Sequence, residues 1–204
     1  MSILRSLRFK DQAFQLREDA ILSAATTVLA TKGFDLMTMD DVALAVGISK
    51  PSLYKHFKSK DDLVRESMIR LLDGAAAFLE ELPPATTPVG RLHALLVWAL
   101  RTRLQGGLPL MPSTSPQVRD MLTSSVRYMT RVLKLHSRLR RIVQEAKEAG
   151  ELRADLPDAV ILYSYYARTC DPAVEYLRQY EKLDDDAIVE HLTSVFFRGI
   201  ARQA

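Results

Sequence analysis

Apolar residues recur every three or four positions along almost the whole chain, which is the spacing of amphipathic α-helices. In the first such segment, residues 12–32, this spacing is shown by Ile21, Ala25 and Leu29, and Gly33 follows as a helix stop signal. No stretch alternates between apolar and polar residues as a half-buried β-strand would. The pattern therefore predicts an all-α protein.

Capping residues predict where three helices of the first third begin and end. Thr38, with Asp41 three positions later, is typical of a capping box at a helix start. Gly47 is typical of a helix end, and Ser49 and Ser59 are typical caps of the two helices that follow. The predicted helices are, in order, 12–32, 39–46, 50–57, 60–79, 89–105, 117–149, 155–180 and 184–202. Pro172 predicts a break near 168–171, so about nine helices are expected.

The order of these helices predicts two domains. Residues 1–62 would form an N-terminal three-helix unit with a helix-turn-helix, and residues 63–204 would form a larger helical domain. Glycine and proline concentrate in residues 106–116, which is the most irregular segment of the chain. We expect that segment to be a mobile lid or an entrance loop.

The segment GISKPSLYKHF, residues 47–57, predicts a helix that buries little and exposes many hydrogen-bonding groups. Leu53 marks its buried side, and at about 100° per residue Pro51 and Lys55 point almost directly away from it. A major groove admits a helix, and its base edges offer donors and acceptors to outward side chains. The segment therefore predicts a DNA-reading helix.

The charge distribution agrees with a phosphate-bearing partner. The net charge is +3, and the whole surplus lies in residues 1–60, which hold nine Lys or Arg and six Asp or Glu. Residues 42–60 contain four lysines and no acid, the sign expected of a surface that meets double-stranded DNA. Arg5, Arg8 and Lys10 are either a frayed basic tail or an arm that reaches the minor groove.

The run TMDDVALAVGISKPSLYKHFKSKDDL, residues 38–63, closely resembles the DNA-binding domain of TetR-family transcriptional regulators. The resemblance covers roughly residues 15–65, and the pattern G-[IV]-S-x-[GP]-x-[LI]-Y-x-[HY]-F-x-[SN]-K is matched throughout. It implies an all-α homodimer with an effector pocket in the C-terminal domain. The last two long helices would pair with those of the partner subunit in a four-helix bundle.

The resemblance also implies roles for individual residues in DNA binding. The residues that resemble the family's base-reading positions are Lys50, Pro51 and Ser52. The residues that resemble its phosphate anchors are Thr38, Tyr54, His56 and Lys60. Ser49, with a hydroxyl at the helix start, and Lys55, with a charge on the outward face, complete the predicted DNA-binding set. Where many relatives have glycine, Pro51 stiffens the helix start and offers an apolar contact to a thymine methyl group.

Aromatic and methionine side chains are the candidates for lining the effector pocket. They are Met68, Trp98, Met111, Tyr128, Met129, Tyr163 and Tyr166. Such residues at helical spacing more often form plain core, so each has two open interpretations.

Five basic residues form a stripe along the predicted helix 117–149. They are Arg127, Arg131, Lys134, Arg138 and Arg141. A charge run of this kind is usually a solvated face, since a helix needs a polar side. The alternatives are a site for an anionic effector and a second DNA-facing strip.

Other features exclude several classes of protein. The single cysteine, Cys170, cannot form an internal disulfide, and the first residues lack the features of a signal peptide. No apolar run approaches the ~18 residues of a membrane span, so a cytoplasmic protein without a membrane partner is expected. The four histidines are scattered and no hydrolase, zinc or nucleotide-binding motif occurs, which predicts no enzyme activity, metal or cofactor.

The sequence therefore predicts a ligand-responsive transcriptional regulator. It would act as a repressor that binds a palindromic operator as a dimer and is released by a small-molecule effector. The alternatives are a regulator that has a vestigial pocket and is driven by a protein partner, and a helical partner- or ligand-binding protein whose helix-turn-helix is only structural.

Overall fold

Helices form nearly all of the regular structure. The structure is a computed structural model that describes residues 2–107 and 116–200, with side chains from residue 12 onward within those ranges. These ranges contain helices and no β-strand, which confirms the all-α prediction. The helices are α1 (Ser2–Leu36), α2 (Met39–Val46), α3 (Lys50–Tyr54), α4 (Lys60–Glu81), α5 (Pro88–Leu104), α6 (Pro116–Thr123), α7 (Val126–Glu148), α8 (Asp158–Thr169), α9 (Ala173–Gln179) and α10 (Asp185–Ile200).

Two of the long predicted helices are each divided in two. The prediction of one helix over 117–149 is wrong, because Ser125 adopts an extended conformation and caps α7 by accepting a hydrogen bond from the Tyr128 N–H. The predicted helix 155–180 ends at Thr169 and resumes as α9 after Pro172. Proline lacks an N–H group, and the break lies where that residue predicts it.

A first hydrophobic core joins α1, α2 and α3 to the beginning of α4. Ile21, Val42, Leu53 and Leu63 are all fully buried in it. The buried side chains of α6, Val118 and Leu122, complete the same core. Residues from the second half of the chain therefore pack beneath the N-terminal helices.

A second core lies among α4, α5, α7, α8 and α10. It includes Leu96 and Tyr165, and Ala75 and Leu79 of α4 belong to it as well. The phenol of Tyr165 is buried and donates a hydrogen bond of 2.9 Å to the carbonyl of Leu92. Helix α4 thus contributes its first half to one core and its second half to the other.

Ion pairs connect the basic stripe of α7 to an acidic edge of α4. The pairs are Arg127–Glu66 at 2.6 Å, Arg131–Asp73 at 2.8 Å and Arg138–Glu80 at 3.4 Å. The three acids are spaced seven residues apart, so they lie along one side of α4. Each partly exposed pair contributes about 0–1 kcal/mol. Three of the five basic residues of the stripe are therefore paired with acids of the same chain.

A buried arginine anchors the break between α8 and α9. The guanidinium of Arg103 donates to both carboxylate oxygens of Glu175, at 2.9 and 2.8 Å, and its side chain is almost fully buried. It also donates to the carbonyl of Thr169, the last residue of α8. A bidentate pair with a further acceptor satisfies a buried charge, so α5 holds both sides of the break in place.

Gly47 provides a test of the turn between α2 and α3. Its φ of 75° is left-handed, and nothing lies within 4 Å of a Cβ atom added there. We expect Gly47→Ala to lower the free energy of unfolding by about 1–2 kcal/mol, because an L side chain disfavours this conformation. Urea unfolding followed by circular dichroism measures the change.

Gly199→Ala is the matched control. This glycine lies in α10, and open space also surrounds its added Cβ atom. Alanine there should leave stability unchanged or raise it by up to about 1 kcal/mol. Equal losses in both variants would show that the left-handed turn is not the cause.

Candidate nucleic-acid interface

Two capped helices and a tight turn build the surface around α3. The hydroxyl of Thr38 accepts a hydrogen bond from the Asp41 N–H at 3.2 Å, and the Asp41 carboxylate accepts one from the Thr38 N–H at 3.0 Å. Gly47 ends α2, and Ser49 begins α3 by accepting a hydrogen bond from the Ser52 N–H at 3.4 Å. These local interactions place α3 at a defined angle to α2, as in a helix-turn-helix.

Helix α3 buries one side and exposes the other. Leu53 is 0% exposed, and Phe57, just after the helix, is buried beside it in the first core. Pro51 and Lys55 are exposed, and Tyr54 is 43% exposed. The orientation predicted from helical spacing is the one observed.

The helix is shorter than the predicted 50–57. It ends at Tyr54, and Lys55 forms its C-terminal cap by donating to the carbonyls of Leu53 and Ser52. Phe57 leaves the helix to reach the core, while its N–H still donates to the Leu53 carbonyl at 3.0 Å. Little more than one turn is therefore presented to the outside.

Two lysines of the predicted DNA-binding set already have partners in the protein. Lys50 Nζ lies 2.8 Å from a carboxylate oxygen of Asp40, and this hydrogen bond raises the pKa of Lys50 above its ordinary value. Lys60 Nζ donates to the Phe34 carbonyl at 2.9 Å and lies 4.3 Å from the centroid of the Phe34 ring. Lys50 remains at the surface, whereas Lys60 ties α4 to the end of α1.

His56 does not lie on the outward face, which corrects its prediction as a phosphate anchor through the imidazole. Its side chain is 4% exposed, and its ring stacks on Phe14 with centroids 4.2 Å apart. The reason lies in the helical spacing, since His56 comes three residues after Leu53 and falls within about 60° of the buried side. The same spacing predicts the outward position of Lys55, and its application to His56 predicts from the sequence that the imidazole lies near the buried side.

A sequence profile described as "Bacterial regulatory proteins, tetR family" matches residues 21–67, which include α2, α3 and the start of α4. Residues 21–67 thus carry a DNA-binding domain of the TetR family of transcriptional regulators.

Named relatives of this TetR-family chain are repressors. It is 25% identical over 189 residues to the HTH-type transcriptional repressor KstR2 of Mycolicibacterium smegmatis, and the match covers 91% of each chain. It is 43% identical over 51 residues to the biofilm operon negative transcriptional regulator IcaR of Staphylococcus aureus (strain Newman), which is 25% of this chain and 27% of that protein.

Solved structures share the fold of this TetR-family chain. The ketosteroid transcriptional regulator KstR2 of Mycobacterium tuberculosis superimposes with a TM-score of 0.67 at 21% identity, over 92% of this chain and 96% of that one. A TetR-family regulator from Agrobacterium tumefaciens superimposes with a TM-score of 0.72 at 21% identity, over 92% and 99% of the two chains. These likenesses show that the chain shares the fold of TetR-family regulators.

The predicted pocket residues of this TetR-family regulator lie in different environments. Met68 and Tyr128 belong to or pack against the first core, and burial raises the pKa of Tyr128. Trp98 and Tyr166 pack against the second core, and burial raises the pKa of Tyr166 to about 12. Met129 is half-buried.

The two remaining pocket candidates are Tyr163 and Met111. Tyr163 is 66% exposed, so its prediction as a pocket residue is wrong for this subunit. It lies on the outer side of α8, while Tyr165 takes the buried position on the inner side. Met111, most of segment 106–116 and the side chains of Arg5, Arg8 and Lys10 lie outside the described part of the chain.

None of the described helices has both the length and the apolar character needed to cross a lipid bilayer.

The Asp41 carboxylate gives the capping box a measurable pH dependence. Hydrogen bonds from Lys32 and then from Thr38 lower the pKa of Asp41 from 3.8 to about 2. A carboxylate whose pKa is lower in the folded state stabilises the fold fully above its unfolded pKa, and that stabilisation disappears as the pH falls through the folded pKa.

We therefore expect wild type to be more stable than Asp41→Asn, with a constant difference above about pH 4 that shrinks as the pH falls towards about 2. Urea unfolding of both proteins between these limits and neutral pH measures the difference. A difference that does not change with pH would contradict this role of the carboxylate.

Proposed function

We propose that this TetR-family protein is a ligand-responsive repressor that inserts α3 into the major groove of a palindromic operator as a homodimer. The observation that carries the proposal is the orientation of α3. Leu53 is completely buried while Pro51, Tyr54 and Lys55 are exposed, so the helix is held firmly yet leaves its outer side open. A docked helix of this kind is how helix-turn-helix proteins reach base edges.

Some of the exposed residues would contact bases and others would contact phosphates. Lys50, Pro51 and Ser52 would contact bases, because they occupy the first turn of α3. Lys50 would exchange Asp40 for a base or phosphate acceptor, at small cost because both side chains of that pair are about half exposed or more.

Phosphate contacts would surround this first turn. Four candidates for these contacts are exposed. They are Thr38 at the start of α2, Ser49 at the start of α3, and Tyr54 and Lys55 at the end of α3. Lys60 would contribute through the free N–H groups at the start of α4 and through its charge. Such contacts set the position of the helix on the duplex.

The direction of regulation is supported by the relatives. KstR2 is named a transcriptional repressor and IcaR a negative transcriptional regulator. A repressor blocks transcription by occupying its operator, so release of DNA is the step that an effector would control.

Helix α4 would connect the effector to the DNA. Its first residues cap the DNA-binding surface, and its Gly74 faces Trp98 of α5, whose ring would lie 3.5 Å from a Cβ atom added at that glycine. Trp98 also stacks on Phe78 of α4, with centroids 5.8 Å apart. A ligand that enters beside Trp98 would push on α4 and so change the position of the DNA-binding helices, with a coupling free energy of ~1–3 kcal/mol.

Helix α8 offers the face for dimerisation. Its exposed residues from Val160 onward carry no charge, and they are Val160, Tyr163, Ser164 and Ala167. A solvated helix face normally carries charged residues, so an uncharged exposed face is suited to a protein partner. Helix α10 packs beside α8 through Tyr165 and Phe196, whose rings are 5.8 Å apart, and exposes Val195. The two helices would pair with their copies in the partner subunit.

Selection of random duplexes by the wild-type protein, followed by titration, tests DNA recognition. We expect Tyr54→Ala to weaken binding to every duplex by a similar factor, because a phosphate contact carries no sequence information. We expect Lys50→Ala to change which bases are preferred, with a loss of about 1–3 kcal/mol at the affected position.

Two exposed residues far along the chain serve as matched controls for these variants. Tyr176→Ala removes an exposed ring of α9, and Lys134→Ala removes an exposed lysine of α7. Neither should change binding. The proposal fails if wild type selects no sequence, or if its binding does not weaken with salt as phosphate contacts require.

Oligomeric state is tested by Tyr163→Glu, which places a charge on the uncharged face of α8. We expect sedimentation analysis to show dimers for wild type and monomers for this variant, because an unpaired charge in an interface is costly. Val126→Glu is the control, since Val126 is 80% exposed at the start of α7, where an acidic residue suits the helix dipole. Dimers of Tyr163→Glu would exclude this face.

A further inference from the structure

His56 joins the DNA-reading segment to a part of α1 that lies outside the matched family region. Its ring stacks on Phe14 with centroids 4.2 Å apart and planes 29° from parallel. Glu18 lies one turn further along α1, and its Oε1 is 3.5 Å from His56 Nδ1. Phe14 and Glu18 both precede residue 21, where the family match begins.

Helix α3 has few other contacts that set its orientation. It has five residues, and Leu53 is the only one of them that is buried. The turn at Gly47 and the Ser49 cap set its angle to α2, and the single buried side chain by itself adds little resistance to rotation about that anchor. Phe57 and His56, which follow Leu53, therefore provide the additional contacts that define the direction of the outward face.

The contact of His56 is made through packing. Its Nδ1 is buried and makes no hydrogen bond among the described residues, and Glu18 Oε1, at 3.5 Å, pairs with it only when the ring is protonated. Phe14 is 45% exposed and covers the ring from outside. An aromatic pair of this geometry contributes through burial and stacking, and a phenyl ring could replace the imidazole in it.

We propose that His56 is a positioning residue for DNA reading and that the Phe14 region of α1 sets the angle of α3 through it. The helix that reads DNA is then held by two contacts, by the core at Leu53 and by Phe14 of α1 at His56. Sequence discrimination would depend on Phe14 although Phe14 does not itself read bases. This inference rests on the proposed DNA binding.

The variant His56→Phe, which replaces the imidazole by a phenyl ring, distinguishes a positioning role of His56 from a direct phosphate contact. The probes are a duplex selected by the wild-type protein and a shuffled duplex of the same composition. We expect His56→Ala to weaken binding to the selected duplex by about three- to ten-fold and to reduce its preference over the shuffled one, because loss of a stacked pair costs this much. His56→Phe should retain both affinity and preference. A phosphate contact through the ring N–H would be lost equally in both variants.

A double-mutant cycle tests the link to α1. Phe14→Ala should resemble His56→Ala, and the double variant should be no weaker than the weaker single variant, because both changes remove the same contact. The matched cycle combines Phe14→Ala with Tyr54→Ala, whose losses should add. Urea unfolding of each variant identifies any loss of affinity that arises from incomplete folding, which would lower binding to both duplexes by the same factor.

The results distinguish this inference from the function on which it rests. If wild type selects no duplex, the proposed DNA recognition is overturned together with the role of His56. If wild type binds but His56→Phe is as weak as His56→Ala, or the losses of Phe14→Ala and His56→Ala add, the positioning role alone is overturned.

Discussion

Burial of Leu53 is the contact on which the DNA-binding surface depends. Helix α3 is too short to be stable alone, so its existence requires tertiary packing. Leu53 is the one buried side chain within it, and it holds the helix against α1, α2 and α4 in a single core. Because only one of its five residues is buried, the other positions of the helix are free to present polar groups and Pro51 to a partner.

The same core explains how a signal from the C-terminal part of the chain can reach DNA. Helix α4 contributes Leu63 and Val64 to the N-terminal core and Ala75 and Leu79 to the second core. Movement of α4 therefore cannot leave either core unchanged, since protein interiors are closely packed. The ion pairs between α4 and α7 lie along the outside of this connection, where salt weakens them.

Local signals predicted most of the helix starts and stops. Thr38, Ser49 and Ser59 each cap a helix in the structure, Gly47 takes positive φ at the end of α2, and Gly33 takes positive φ at a kink near the end of α1. These features depend on a few neighbouring residues, so they can be read without the fold. The break before Val126 was not predicted because Ser124 and Ser125 are tolerated within a helix, and the break accompanies the packing of α6 against the N-terminal core.

The sequence by itself determined the helical class, the helix-turn-helix, and the outward direction of Pro51 and Lys55, since each follows from spacing within one helix. Tertiary structure alone decided which side chains of different helices meet. It covered the His56 ring with Phe14, placed Tyr163 outside and Tyr165 inside, and paired the basic stripe with acids of α4. Those outcomes depend on which helices become neighbours, and contacts between residues far apart in the chain leave no periodic signal in either segment.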